Sequence, residues 1–170
     1  MQKLNIAILS YRSAQFGGGQ GVYIRDISLA LKLKGHNVDV ISGPPYPNLY
    51  DGINLIKLPG LNLFETFSFR DRLKKFLKKK NKKFDHYYEF FSVLFGGFPE
   101  PKTFGNRANR YLKSNAHYDL VIDNQSLSYG MIHIQKRFPF IEIVHHPITF
   151  DYKYELASSR KIKYRISRYR

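Results

Sequence analysis

A strand, a glycine-rich loop, a helix and a second strand follow one another at the start of the chain. Residues 5–11 (NIAILSY) form a short apolar run between polar residues, which predicts a buried strand. Apolar residues at helical spacing predict a helix over residues 22–34, ended by Gly35, and residues 37–42 (NVDVIS) predict the next strand. Strands joined by a helix in this way lie parallel in one sheet, so we expect an α/β protein.

The rest of the chain continues this alternation. Further strands are predicted over residues 53–58, 119–123 and 140–144, and further helical segments over residues 69–84, 87–95, 102–114 and 127–136. Strands separated by helix-length segments predict a Rossmann-like parallel sheet with helices on both faces. This is the fold class that we expect for the chain.

Charge is the feature of the composition that bears most on function. The 170 residues include 28 Lys and Arg against 13 Asp and Glu, a formal net charge of +15. A surface of this sign attracts phosphates, whether of nucleic acid, anionic lipid or a nucleotide. Cysteine is absent, which excludes a disulfide framework and a thiolate metal site and fits a reducing compartment. The sequence contains no apolar stretch of transmembrane length.

Three consecutive glycines, Gly17, Gly18 and Gly19, stand just before the first predicted helix. Ligands of open α/β sheets bind outside the carboxyl ends of the strands, where this loop lies. Glycine lets the backbone approach a ligand, and the N–H groups and dipole of a helix N-terminus favour an anion. The loop therefore predicts a phosphate site, with a merely flexible turn as the alternative. Val22 replaces the third glycine of a dinucleotide fingerprint, and no G-K-[ST] follows to form a P-loop.

Polar side chains follow the fourth and fifth predicted strands. Asp123, Asn124 and Gln125 follow the fourth strand, and His145 and His146 follow the fifth. Both groups should reach the same edge of the sheet as the glycines, where they could position a hydroxylated substrate or supply a general base. The alternatives are an Asx turn for the first group and a hydrogen-bonded loop pair for the histidines. No third ligand stands at a plausible spacing, so no metal site is predicted.

A run of lysines crowds the predicted helix at residues 69–84: Lys74, Lys75, Lys78, Lys79, Lys80, Lys82 and Lys83. One interpretation is a solvated helix face. Another is a membrane-surface helix, whose lysines meet anionic headgroups while its apolar residues enter the interface; these are Phe69, Leu73, Phe76, Leu77 and Phe84. Nucleic acid could use the same charge, but no nucleic-acid-binding motif accompanies it.

Four stretches together resemble one enzyme family. They are GGGQGVYIRDISLALKLKGHNVDVISGPPYP (17–47), FPEPKTFGNRANRYL (98–112), YDLVIDNQSLSYG (118–130) and IVHHPITFDYKYEL (143–156). In this order they are similar to the N-terminal domain of retaining glycosyltransferases of family 4, which have the GT-B fold. The resemblance covers nearly the whole chain and is weakest over residues 61–95. It implies a hexosyltransferase-type enzyme in which an acceptor-side domain faces a C-terminal donor-binding domain across the catalytic cleft.

The resemblance also implies roles for individual residues. The glycine loop, Gly17 to Gly19, would approach the diphosphate of a nucleotide-diphosphate sugar. Many relatives have a histidine just after the fourth strand, where this chain has Asn124, whose amide cannot act as a base. Asp123, His145 or His146 would then be the base, or the leaving phosphate would take the acceptor's proton. No metal and no other cofactor is expected.

The same resemblance implies a domain division. Residues 1–157 would form the Rossmann-like GT-B N-terminal domain, and residues 158–170 would begin a helix leading to a donor-binding domain that these 170 residues do not contain. The chain alone would then be inactive without that domain or a partner chain. Its acceptor would be a glycan or a lipid-linked sugar of a cell-envelope polysaccharide, handled in the cytoplasm or at the inner face of the membrane. The alternatives are a non-catalytic binding module and a basic α/β domain that binds phosphate or nucleic acid.

Overall fold

The sheet of the protein is parallel throughout. The computed structural model describes residues 2–14, 19–63, 66 and 68–145. Within them, five strands form one sheet: β1 (Asn5–Ser10), β2 (Asn37–Ser42), β3 (Asn54–Lys57), β4 (Leu120–Asn124) and β5 (Phe140–Ile143). Their order is β3-β2-β1-β4-β5, and each neighbouring pair is parallel. The predicted parallel sheet is confirmed, and the strand order reverses between β1 and β4.

Helices cover both faces of this sheet, as predicted. In chain order they are α1 (Gly19–Leu33), α2 (Phe69–Lys78), α3 (Phe84–Leu94), α4 (Glu100–Ser114) and α5 (Tyr129–Gln135). Ile24 of α1 packs on one face with Ile6, Ile8 and Val40. The other face is covered by fully buried side chains of α4 and α5, which are Phe104, Leu112 and Ile134. Because both faces are covered, the central strands are apolar on both sides.

Two helices differ from the predicted ones. Helix α1 begins at Gly19, so part of the glycine tract is helical, although glycine is a poor helix former. The segment predicted as one helix over residues 69–84 ends at Lys78, and α3 begins at Phe84. Asn81, between them, has a positive φ of 51°, a conformation that no helix continues through. The predicted helix over residues 158–170 lies outside the described residues.

Helices α2 and α3, which follow β3 in the chain and precede α4, form a separate small layer. Their apolar contacts form a third cluster, built on Leu61, Leu63, Phe90 and Val93, against which Leu73 and Phe76 pack. The Phe76 and Phe90 rings stack with centroids 4.5 Å apart. None of the helices in the described part of the chain has the length and apolar character needed to span a bilayer.

Candidate functional site

The site is built where the strand order reverses, at the carboxyl ends of β4 and β5. Asn124 is the last residue of β4 and is fully buried, and His145 stands two residues after β5. Nε2 of His145 lies 2.7 Å from Oδ1 of Asn124. The backbone N–H of His145 donates to Oε1 of Gln125 at 3.2 Å. The fold therefore brings His145 onto two residues that lie about twenty positions before it in the sequence.

The contact with Asn124 defines the chemistry that His145 offers. An amide oxygen only accepts hydrogen bonds, so in this orientation Nε2 of His145 carries the hydrogen. Nδ1 is then the acceptor nitrogen of the neutral imidazole. An imidazole held in this way can accept a hydrogen bond or a proton from a substrate hydroxyl.

Helix α1 reaches the same place. Tyr23, in the first turns of α1, packs edge-on against the His145 ring with centroids 4.7 Å apart. The helix begins at Gly19, one turn before Tyr23, so its N-terminal amides lie near His145. Gly19 thus begins the helix whose Tyr23 contacts His145, and the shared site of the glycines and the histidine stays a prediction. Gly17, Gly18 and His146 lie outside the described residues.

A fourth glycine matters more for packing than the sequence suggested. A Cβ on Gly21 would overlap the backbone carbonyl oxygen of Ala14, in the loop after β1, whereas a Cβ on Gly19 would meet nothing within 4 Å. Gly21 is therefore the glycine that lets the first turn of α1 sit against the end of β1. Its signal in the sequence is the fourth glycine of GGGQG, which a flexible-loop interpretation does not distinguish from the first three.

Asp123 is placed differently from Asn124, because successive side chains of a strand point to opposite faces. Its side chain is fully buried, and Oδ2 accepts the backbone N–H of Ser126 at 2.8 Å. The turn that it closes contains Gln125, whose φ is 55°, and Leu127, with a φ of 45°, follows directly after it. Asp123 thus holds in shape the turn that presents Asn124 and Gln125 to His145.

Asp123 also faces a second carboxyl group, which the sequence did not point to. The register of β4 and β5 pairs Asp123 with Glu142, and the two carboxyl groups lie within hydrogen-bonding reach. Oδ1 of Asp123 and Oε1 of Glu142 are buried without any other partner. Burial and the nearby Asp123 charge raise the pKa of Glu142 to about 8, and burial raises the pKa of Asp123 as well. The pair therefore keeps a proton between its oxygens at neutral pH.

More buried polar groups lie towards α4. Glu100, at the start of α4, is 8% exposed, and its Oε2 is buried without a hydrogen-bond partner. Burial raises its pKa. Burial likewise raises the pKa of the Tyr11 phenol; the Arg12 charge opposes this increase, and the charges of Glu100 and Asp123 add to it. Tyr11, Glu100 and Asp123 therefore belong to one polar region, on the α4 side of the same edge.

The remaining predicted residues lie apart from this edge. Lys74 and Lys78 are exposed on α2, and Lys83 is exposed just before α3. Lys75 donates to the Asn62 carbonyl and to the Thr66 hydroxyl, both at 2.7 Å. Lys79 and Lys82 are half-buried between the two helices, and Lys82 lies 5.1 Å from the Phe76 ring centroid. Among the described residues, no three His, Asp or Glu side chains are grouped so that they could hold a metal ion.

Comparison with known proteins identifies a named relative of the chain. No family model matches the chain. Over 161 residues, the chain is 43% identical to the MMP alpha-(1->4)-mannosyltransferase of Mycolicibacterium hassiacum. The match covers 92% of the chain and spans 38% of the length of that enzyme. The similarity supports a relationship to glycosyltransferases, and the chain aligns with a part of that enzyme.

Proposed function

We propose that this chain is the N-terminal, acceptor-side part of a retaining glycosyltransferase of family 4 with the GT-B fold. It would act on a nucleotide-diphosphate sugar, with mannose as the transferred hexose, and on a glycan or lipid-linked acceptor. The observation that carries the proposal is the 43% identity to a mannosyltransferase over 92% of the chain. The grouping of His145, Asn124 and the start of α1 at one sheet edge supports it.

The start of α1 is the proposed contact for the donor's diphosphate. Amides at a helix N-terminus and the positive end of the helix dipole stabilise phosphate oxygens. Gly17, Gly18 and Gly19 would let the backbone approach them closely. No acidic residue stands in the first turn of α1 to oppose the anion.

His145 is the proposed contact for the acceptor. Its Nδ1 would accept the hydrogen of the attacking hydroxyl while the new bond forms from that oxygen to the anomeric carbon. The bond from the anomeric carbon to the diphosphate breaks, and the proton ends on His145 or on the leaving phosphate. Glu100 and Tyr11 would bind further hydroxyl groups of the acceptor, because both are polar groups at the same edge. The proposal includes no metal and no further cofactor.

The activity would need the donor-binding domain, either in a longer protein or in a partner chain. The acceptor would belong to a cell-envelope polysaccharide, and the enzyme would work in the cytoplasm, in part at the inner face of the membrane. A non-catalytic binding module and a basic nucleic-acid-binding domain remain the alternatives that the following experiment separates from an enzyme.

The test is a chimera in which this chain replaces the matched part of the Mycolicibacterium hassiacum mannosyltransferase. We expect mannosyl transfer by the chimera and none by the 170 residues alone. His145→Ala in the chimera should lower kcat/KM by about 100-fold, the lower end of what a positioned acid or base contributes. His133→Ala is the matched control, because His133 is exposed on α5 and should leave the activity unchanged.

The parent enzyme, rejoined at the same position from its own two parts, shows that the joint itself is tolerated. An inactive chimera beside an active rejoined parent would contradict the proposed role of the chain. Transfer by the 170 residues alone would contradict the need for a second domain. Equal loss of activity in the two histidine variants would remove His145 from the site.

A further inference from the structure

Helix α3 carries apolar side chains on two opposite faces. Its inner face contributes Phe90 and Val93 to the third cluster. Its outer face carries a second set, which we call the α3 stripe: Phe84, Tyr87, Phe91, Leu94 and, just past the helix end, Phe95. The spacing of three and four residues places these side chains in one row along the helix. Their exposed fractions run from 36% at Leu94 to 81% at Phe84.

Such a row is not explained by folding. Single exposed apolar residues are ordinary, but a contiguous row of large ones marks a surface that another phase or molecule covers. The sequence had assigned the membrane-facing role to apolar residues of the lysine helix. Two of these, Leu73 and Phe76, are partly buried and pack against the third cluster instead. Phe69 and Leu77 remain exposed on α2, and the longer row of exposed apolar side chains lies on α3.

The charges around the stripe are almost entirely positive. The acidic residues of α3 turn inward: Asp85 pairs with Arg110, and Glu89 pairs with Arg107 at 2.7 Å. Lys83 is exposed at the beginning of the stripe, and Lys74 and Lys78 are exposed on the adjoining α2. Asp71, in the first turn of α2, is the acidic residue of that helix. The outer face of α3 is thus apolar, with an exposed lysine at its start and more on the adjoining helix.

We propose that the α3 stripe is the surface by which this protein docks on an anionic lipid bilayer. The five side chains enter the boundary between headgroups and acyl chains, and the bordering lysines contact lipid phosphates. Aromatic rings and leucine suit that boundary, and lysines next to it are attracted by anionic headgroups. The inference rests on the membrane part of the proposed function. Its failure would leave the sugar-transfer part untouched, because no stripe residue belongs to the His145 site.

The experiment measures binding of the 170-residue chain to vesicles of neutral phosphatidylcholine and to vesicles with about one third phosphatidylglycerol. We expect binding to the anionic vesicles, weakened when the salt concentration is raised because exposed charges are then screened. Phe91→Ser with Phe95→Ser should weaken binding at least about tenfold, since both rings leave the interface. Leu33→Ser is the matched control: Leu33 is 78% exposed at the far end of α1 and should not change binding.

A fluorescent reporter tests insertion directly. The chain contains no tryptophan, so Phe91→Trp introduces a single one. Its emission should shift to the blue with anionic vesicles and be quenched by lipids brominated on the acyl chain. Phe91 is exposed, so thermal melts of these variants should match the original chain.

Four outcomes would overturn the proposal. Vesicle binding by Phe91→Trp with an unshifted tryptophan emission would mean that the lysines act alone. Equal binding by the serine variant would place the contact elsewhere on the chain. A stripe-dependent dimer, or duplex DNA binding stronger than vesicle binding, would assign the surface to a different partner.

Discussion

The sheet and the α2–α3 layer differ in how far they bury their large apolar residues. The sheet buries Ile6, Ile8 and Leu9 completely, under helices on both faces. The α2–α3 layer has a small cluster on one side and leaves the α3 stripe exposed on the other. Burial of the apolar side chains of the sheet stabilises the fold, so no partner is needed to explain them. The outer face of α3 has no such explanation, and this is why we propose a partner there.

Glu89 joins these two regions. It lies on α3, is 2% exposed and accepts hydrogen bonds from three other residues. The donors are the backbone N–H of Leu61 at 2.7 Å, the Thr103 hydroxyl at 2.6 Å and the Arg107 guanidinium at 2.7 Å. Thr103 and Arg107 belong to α4, which packs on the sheet. One carboxylate thus ties the smaller layer to the larger one.

The largest expected effect comes from breaking this link. Glu89→Ala would leave the Arg107 charge and the Leu61 N–H buried without their partner, which costs about 3–5 kcal/mol of unfolding free energy. Denaturant unfolding would measure the loss. Hydrogen exchange would show faster exchange in α2 and α3 than in the strands, because α2 and α3 lose their anchor first.

The control for this change is Asp26→Asn, which breaks the ion pair between Arg25 and Asp26 on the surface of α1. Their side chains are 37% and 53% exposed, so the change should cost under about 1 kcal/mol. Uniform loss of protection across the strands and α3 in Glu89→Ala would mean that the two regions unfold as one unit.

The second effect separates the glycines within the sheet region. Gly21→Ala would force a methyl group against the Ala14 carbonyl and should destabilise the chain by about 1–3 kcal/mol. Gly19→Ala meets open space and should be neutral or stabilising by up to about 1 kcal/mol, because alanine favours a helix. Thermal unfolding of both variants measures the difference. Equal destabilisation would show that the approach of α1 to β1 does not depend on Gly21.

The smallest effect concerns pH and the Asp123–Glu142 pair. The pKa of Glu142 is about 8 in the folded chain against an ordinary value of 4.5, so the folded chain holds a proton that the unfolded chain has released. The stability that this proton provides is complete below about pH 4.5 and is lost as the pH rises through about 8. Glu142→Gln cannot lose the proton, and its amide can donate to Asp123.

Glu142 is half-buried, so solvent screening leaves only part of the free energy that a pKa shift of this size implies. We therefore expect Glu142→Gln to melt with the original chain at about pH 5 and about 3 °C above it at about pH 9, which corresponds to about 1 kcal/mol. Asp26→Asn again serves as the control, since it removes an exposed carboxylate. A difference that is the same at both pH values would show that the two carboxyl groups do not share a proton.

The strands were predictable because each is an apolar run bounded by polar or turn residues. β2 was predicted with its observed bounds, and the other four within one residue at either end. The start of α1 was missed because its first residue is a glycine, whose weak helix propensity is overridden by packing against β1. The break after Lys78 was missed because lysine and asparagine at positions 79–83 do not disturb a helical pattern strongly.

Only those features of the site that follow from the sheet topology were predictable from the sequence. That Asn124 and His145 share an edge follows from parallel strands ending on the same side. The pairing of Asp123 with Glu142 depends on the register of β4 against β5, which no local pattern specifies. The Glu89 contacts join residues of three separate segments, and only the folded chain brings those segments together.

The proton held by Glu142 has a consequence for the electric potential around the site. The formal charge of +15 counts every carboxyl group as ionised. With a pKa of about 8, Glu142 is mostly neutral at neutral pH, so this edge of the sheet carries one negative charge fewer than the sequence indicates. If a diphosphate binds at the start of α1 as proposed, it would meet less repulsion there, and its rate of encounter would fall as the solution becomes alkaline.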